Sequence, residues 1–147
     1  MAVTMTMHGF GMLTVLRVNF GIKEWIGAKP GVLLEIFPLI IASWMIMFVH
    51  LIEVGVWAAF FIWKRAFANG SISYYFSLNE YTTVGSNYNL PLHWRLLEGM
   101  IATTGLLTFA WSTGILLTLA QEFQDHRTQL FKQRHQKQPP HRENPAT

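Results

Sequence analysis

Two stretches of this chain are apolar almost without a break, and they frame everything around them. From 37 to 63 the run is interrupted by Ser43, His50 and Glu53. As a helix rising ~1.5 Å per residue this stretch is roughly 40 Å long, more than the ~30 Å hydrocarbon core of a bilayer requires, so it must tilt or protrude. Pro38 falls near its start, where a missing amide costs little. Trp44, Trp57 and Trp63 are candidate interface anchors, and Lys64-Arg65 ends the run. The second stretch, 99 to 121, holds no charged residue; at roughly 34 Å it matches a bilayer. Between them, Asn69-Gly70-Ser71 reads as a turn with Ser71 as N-cap of the next helix. Residues 72 to 81 form an aromatic-rich run of ten, too short to cross a membrane but long enough for a helix that enters and returns. Residues 82 to 87 follow directly, and Asn89 to Arg95 reads as a loop coming back to the surface.

The flanks have a different pattern. Residues 1 to 31 scatter apolar residues among Gly9, Gly11, Gly21, Gly27 and Pro30, too interrupted for a span. No signal-peptide h-region or cleavage site is present, and the basic residues come after the first apolar ones. The segment is expected to be retained, either as an amphipathic stretch against the cytoplasmic headgroups or as a partly disordered leader. Residues 123 to 147, rich in Gln, Lys, His and Pro, read as a basic, largely disordered cytoplasmic tail. The domain reading is therefore an N-terminal segment over 1–31, one membrane unit over 32–122 and a tail over 123–147.

Composition sharpens the class. With 51% hydrophobic and 13% charged residues, the chain has too few charges to cover a soluble surface. It lacks cysteine, which removes disulfides, thiolate metal sites and cysteine nucleophiles. The net charge of +3 is concentrated in the tail, where a solvated segment or a contact with anionic lipid headgroups is expected. Nucleic-acid binding is not, because no aromatic platform accompanies the basic residues. Lys and Arg also orient the chain. Arg17, Lys23 and Lys29 precede the first span and Arg127, Lys132, Arg134, Lys137 and Arg142 follow the second, against Lys64, Arg65 and Arg95 between them. With two spans, that asymmetry places both termini in the cytoplasm and the connecting segment outside. A multi-pass protein of the cell (inner) membrane is the expected localisation.

Tyr81-Thr82-Thr83-Val84-Gly85-Ser86-Asn87, preceded by Tyr75-Phe76-Ser77-Leu78, resembles the pore helix and selectivity filter of the tetrameric potassium channel superfamily, two-transmembrane pore-loop type. That family's usual filter reads Thr-Thr-Val-Gly-Tyr-Gly-Asp. The resemblance covers about 37 to 121 and implies an all-α membrane protein: two transmembrane helices, a re-entrant pore helix and a filter loop, as a homotetramer around a central pore. It implies monovalent cations, K+ or Na+, bound at Thr83, Val84 and Gly85, with Ser86 and Asn87 as the outer filter, and no cofactor. Asn79, Glu80, Thr82 and Tyr88 become filter supports; Gly105 stands near the family's hinge glycine, and Leu106, Phe109 and Thr113 become pore-lining candidates. Gly85 permits backbone angles that a side chain forbids, and Asn87 is among the few other residues that tolerate a left-handed conformation. Ser86 replaces a tyrosine that packs sideways in the family and holds the outer filter at fixed width. A wider, wetter outer filter with reduced preference for potassium over sodium is expected, unless Tyr88 fills the vacated space.

Other residues carry open readings. Glu80, next to the filter, either accepts hydrogen bonds from filter amides, pairs with Arg95, or meets the ion. His50 and Glu53 lie at i and i+3 on one helix face. They suit a proton sensor or two metal ligands, and equally a packed His–Glu hydrogen bond. Thr104, Thr108 and Ser112, four apart, and Gly105 and Gly114 suit close helix packing; Glu98 is expected at the outer interface. No Gly-x-Ser-x-Gly elbow, His-Glu-x-x-His pair or carboxylate cluster is present, so an enzyme is not expected. The function expected is a passive pore-loop cation channel; the alternative is a non-conducting structural or accessory subunit that keeps the channel fold.

Overall fold

The computed structural model describes residues 1–26 and 32–136, and these form helices and connections. The helices are α1, Ala2–Ile26; α2, Val32–Trp63; α3, Gly70–Tyr81; and α4, Leu96–Gln136, with a 3-10 turn at Leu92–Trp94 between the last two. Two stretches, Ile36–Trp63 and Leu92–Gln129, are long and apolar enough to cross a membrane.

The first helix is the largest departure from the sequence reading. The segment that looks interrupted by glycine is a single helix of 25 residues, and it lies along α2 and α4. Thr4, His8, Met12, Val15, Asn19 and Ile26 recur every three, four or seven residues and are all buried, so one face of α1 points inward. Its glycines serve as contact points. A Cβ on Gly11 would come within 2.9 Å of both methyl carbons of Val49, and one on Gly9 would touch the Trp111 ring at 3.4 Å. Glycine therefore lets α1 sit closer to its neighbours than any other residue would.

The pairings fix the direction of α1. His8 meets Glu53, Gly11 meets Val49, and the Asn19 amide donates to the Pro38 carbonyl. Residue numbers rise on one helix as they fall on the other, so α1 is antiparallel to α2. Its Met1 end lies toward the Trp63 end of α2. Lys23 reaches Glu122 of α4 at 2.6 Å near the opposite end.

Helix α3 runs back down α2 in the same way. A Cβ on Gly70 would lie 3.5 Å from Ile62, the Ser73 hydroxyl donates to the Ala58 carbonyl, and Tyr81 reaches His50. The N-cap of α3 is Asn69, whose side chain accepts from the Ser71 amide; Ser71, expected in that role, is the capped residue. An Asn two residues earlier does the same work because its carboxamide oxygen reaches the Ser71 amide.

Two apolar clusters bracket the middle of the molecule. One gathers Val54, Trp57, Phe61, Phe76, Tyr81, Leu90 and Ile101; the other gathers Met12, Val15, Ala42, Ile46 and Leu119. Trp57 is a core residue at 6% exposure, whereas Trp44 and Trp63, at 55% and 73%, remain available as anchors. Pro38 sits inside α2 instead of in its first turn, because α2 begins at Val32. Helix α4 continues to Gln136, so the first part of the expected disordered tail is helical. Residues 137–147, including Lys137 and Arg142, and residues 27–31 lie outside the described residues.

Candidate functional site

The end of α3 is closed by a specific backbone arrangement. The Thr83 amide donates to the Glu80 carbonyl at 3.0 Å, the Val84 amide to the Asn79 carbonyl at 2.9 Å, and Thr83 has φ of 62°. That is a Schellman closure with Thr83 at the left-handed position, where glycine is the ordinary choice. A β-branched residue there is strained, and such strain persists only where the surroundings enforce it. The Thr82 amide bonds Leu78 O and the Gly85 amide bonds Asn79 O, and Gly85 is also left-handed, φ 80°. Four successive amides thus turn back onto the helix. Among the described residues, none of the carbonyls of Thr82 to Gly85 accepts a hydrogen bond, and Val84 is 75% exposed. Thr83, Val84 and Gly85 are all exposed.

The supports are sorted by these bonds. Asn79 contributes through its backbone carbonyl, its side chain being spent on the Tyr75 carbonyl of its own helix at 2.7 Å. The Thr82 hydroxyl donates to the Leu78 carbonyl at 2.8 Å. The Ser86 backbone amide and the Glu98 carboxylate both act electrostatically on Glu80; among the described residues no ion pair joins Glu80 to Arg95. Ser86 accepts from the Tyr88 amide at 3.1 Å. Tyr88 packs edge-on against Tyr75 and Phe67, ring centres 6.2 and 6.3 Å away. It therefore supplies an aromatic brace against α3 that Ser86 cannot. Glu98 accepts from the Leu90 amide at 3.1 Å and ties down the returning segment.

Gly105 faces the end of α3, and a Cβ there would collide with the Tyr81 carbonyl oxygen. Leu106, Phe109 and Thr113 are exposed on the isolated chain, while Thr104, Thr108 and Ser112 are buried. The threonine–serine stripe therefore packs inward, and the candidate pore-lining residues occupy another face.

Behind the loop lies a closed ring of side chains from all four helices. His8 Nδ1 meets Glu53 Oε1 at 2.9 Å; Glu53 Oε2 accepts from the Tyr81 hydroxyl; Tyr81 Oη meets His50 Nδ1 at 2.8 Å. His50 Nε2 meets Ser112 Oγ at 3.1 Å, and Ser112 Oγ returns to His8 Nε2 at 3.2 Å. Thr108 adds a bond to Tyr81 at 2.6 Å. His8 and Glu53 are 0% exposed and His50 7%. His50 and Glu53 share a face as their spacing requires, but at 3.8 Å they are too far apart for the hydrogen bond read from sequence, and Glu53 bonds His8 and Tyr81 instead. What the sequence did not yield is the completion of the ring by His8, Tyr81 and Ser112. The only sequence signal for His8 was its place in the stripe Thr4, His8, Met12, Val15, Asn19.

No family model matches this chain, and neither does any curated protein or solved structure. Its class therefore rests on its own features: an all-helical chain with two helices long and apolar enough for a membrane, a strained polar loop between them and a buried polar ring behind that loop.

Proposed function

We propose that the chain is one subunit of a homotetrameric, passive pore-loop channel for monovalent cations, seated in the cell membrane. In this reading α3 is the re-entrant pore helix and Thr83, Val84 and Gly85 form the filter. The observation that carries it is the loop at the end of α3. Its amides fold back, its carbonyls go without partners among the described residues, and it starts at Tyr81, which bonds His50 near the middle of Ile36–Trp63. Irregular backbone at such depth is tolerated only where it lines a cavity, and a ring of four such loops would offer a dehydrated cation its oxygens. The threonine held left-handed adds support, since glycine would close the helix at lower cost.

Potassium is the favoured ion, with reduced discrimination against sodium because serine stands at position 86. Tyr88 limits that loss by bracing the outer loop on Tyr75 and Phe67. The Lys and Arg asymmetry favours a cytoplasmic carboxyl end and an outer filter loop. The antiparallel course of α1 then carries Met1 toward the outer face, in place of the two-span expectation that both termini share the cytoplasm.

Flux through proteoliposomes, measured in potassium and in sodium, tests the reading. Potassium flux with a modest sodium leak is expected, and Tyr88→Ala should raise the sodium share several-fold. Tetramers that pass no monovalent cation would refute the channel and favour the accessory subunit.

A further inference from the structure

We propose that His8, His50 and Glu53, with the Tyr81 hydroxyl as fourth donor, form a binding site for a transition-type divalent cation, zinc being the best match. The inference is independent of conduction.

Geometry is the first ground. The ligand atoms of the two histidines and the glutamate all lie within 4.8 Å of one another. Zinc holds nitrogen and oxygen ligands at ~2.0–2.2 Å in a tetrahedron, which sets the ligands ~3.3–3.6 Å apart. The separations here bracket that range: 2.9 Å for His8 to Glu53, 2.8 Å for His50 to Tyr81, and 3.8 Å for His50 to Glu53. Two imidazoles and a carboxylate suit zinc better than magnesium or calcium, which prefer oxygen throughout.

The outer contacts are the second ground. Both imidazoles turn Nδ1 toward Glu53 or Tyr81 and Nε2 toward the single Ser112 oxygen. A ligating histidine needs its far nitrogen held in this way, to fix ring orientation and tautomer.

Hydrogen counting is the third. The ring has five contacts, each needing one hydrogen. Two neutral imidazoles, Tyr81 and Ser112 supply four, and ionised Glu53 none. A cation removes the shortfall. With both Nδ1 atoms on the metal, both Nε2–H groups donate to Ser112 Oγ, and the serine O–H turns to Met12 Sδ, which lies 3.8 Å away. The Tyr81 proton turns to Thr108 Oγ1, or it leaves, so that carboxylate and phenolate together match the cation's two charges. Each polar group of the ring is then satisfied, as burial demands.

The test uses the full chain in detergent with His126, His135 and His141 changed to glutamine, so that tail histidines do not compete. After chelator treatment, Zn2+ should bind at one per chain and raise the unfolding temperature. Co2+ in the same site should give the intense visible bands of a tetrahedral ion. His8→Gln and Glu53→Gln should each weaken binding by roughly tenfold or more, while His93→Gln, outside the ring, changes nothing. Should either ring variant fold poorly, the Co2+ spectrum of the parent chain still decides. Binding well below one per chain, an octahedral Co2+ spectrum, or affinity untouched by His8→Gln would overturn the proposal. A ring completed by a fifth proton instead would give the first of these results.

Discussion

Tyr81 is a residue on which three buried polar contacts converge. Its hydroxyl touches Glu53, His50 and Thr108, while its carbonyl rests against Gly105. A hydroxyl shared by several buried partners is costly to delete, because the partners stay behind without it. Tyr81→Phe should therefore destabilise the folded chain by about 1–3 kcal/mol. Ser77 offers the contrast on the same helix: it is fully buried and its hydroxyl is without a partner among the described residues. Removing an unsatisfied group relieves its desolvation, so Ser77→Ala should be neutral or stabilising by up to about 1 kcal/mol. Thermal or denaturant unfolding in detergent, run on both variants, checks the pair. A loss for Ser77→Ala equal to that for Tyr81→Phe would show that hydroxyl partnership is not what sets the difference.

Among the elements, α1 illustrates how far the same residues can mean different things. Gly9 and Gly11 look like helix breakers, since glycine costs a helix interior ~1 kcal/mol each. That cost is offset once the bare backbone packs against Val49 and Trp111, and the contact exists only in three dimensions. Gly11→Ala should force α1 away from α2 and lower stability by about 1–3 kcal/mol, the usual range for overpacking. Val49→Ala in the same chain should recover much of that loss, because the clash is with the valine methyls. If the double variant is no better than Gly11→Ala alone, close approach is not the reason for glycine there. Helix α3 tells the opposite story. Its extent, 70–81, departs little from the expected 72–81, because a short aromatic run bounded by Asn-Gly-Ser and Thr-Thr announces itself locally. Its closure at Thr83 was not legible, since a Schellman bond depends on backbone angles that threonine seldom adopts.

At the scale of the whole molecule, the orientation of α1 decides where the amino terminus lies. The expectation of cytoplasmic termini assumes two crossing segments and an N-terminal stretch at the surface. The structure instead sets α1 alongside both long helices, with Met1 toward the Trp63 end. Residues 1–16 carry no Lys or Arg, so the positive-inside tendency does not hold this end back. Because the chain has no cysteine, single substitutions report cleanly. In intact cells, Val3→Cys should react with a membrane-impermeant maleimide and Thr128→Cys should not. Protection of both would restore the two-span picture.

What the sequence determined by itself are the properties that add up along a local window. The two apolar spans are sums over about twenty neighbours, and the polar loop between them is a contiguous motif. That His50 and Glu53 share a helix face follows from helical spacing alone. What only the tertiary structure decided are the relations between distant residues. His8 meets Glu53 across 45 positions, and Ser112 meets His8 across 104. No periodicity links such pairs, because their encounter depends on the direction in which α1 packs, and that is a matter of its contacts with the other helices.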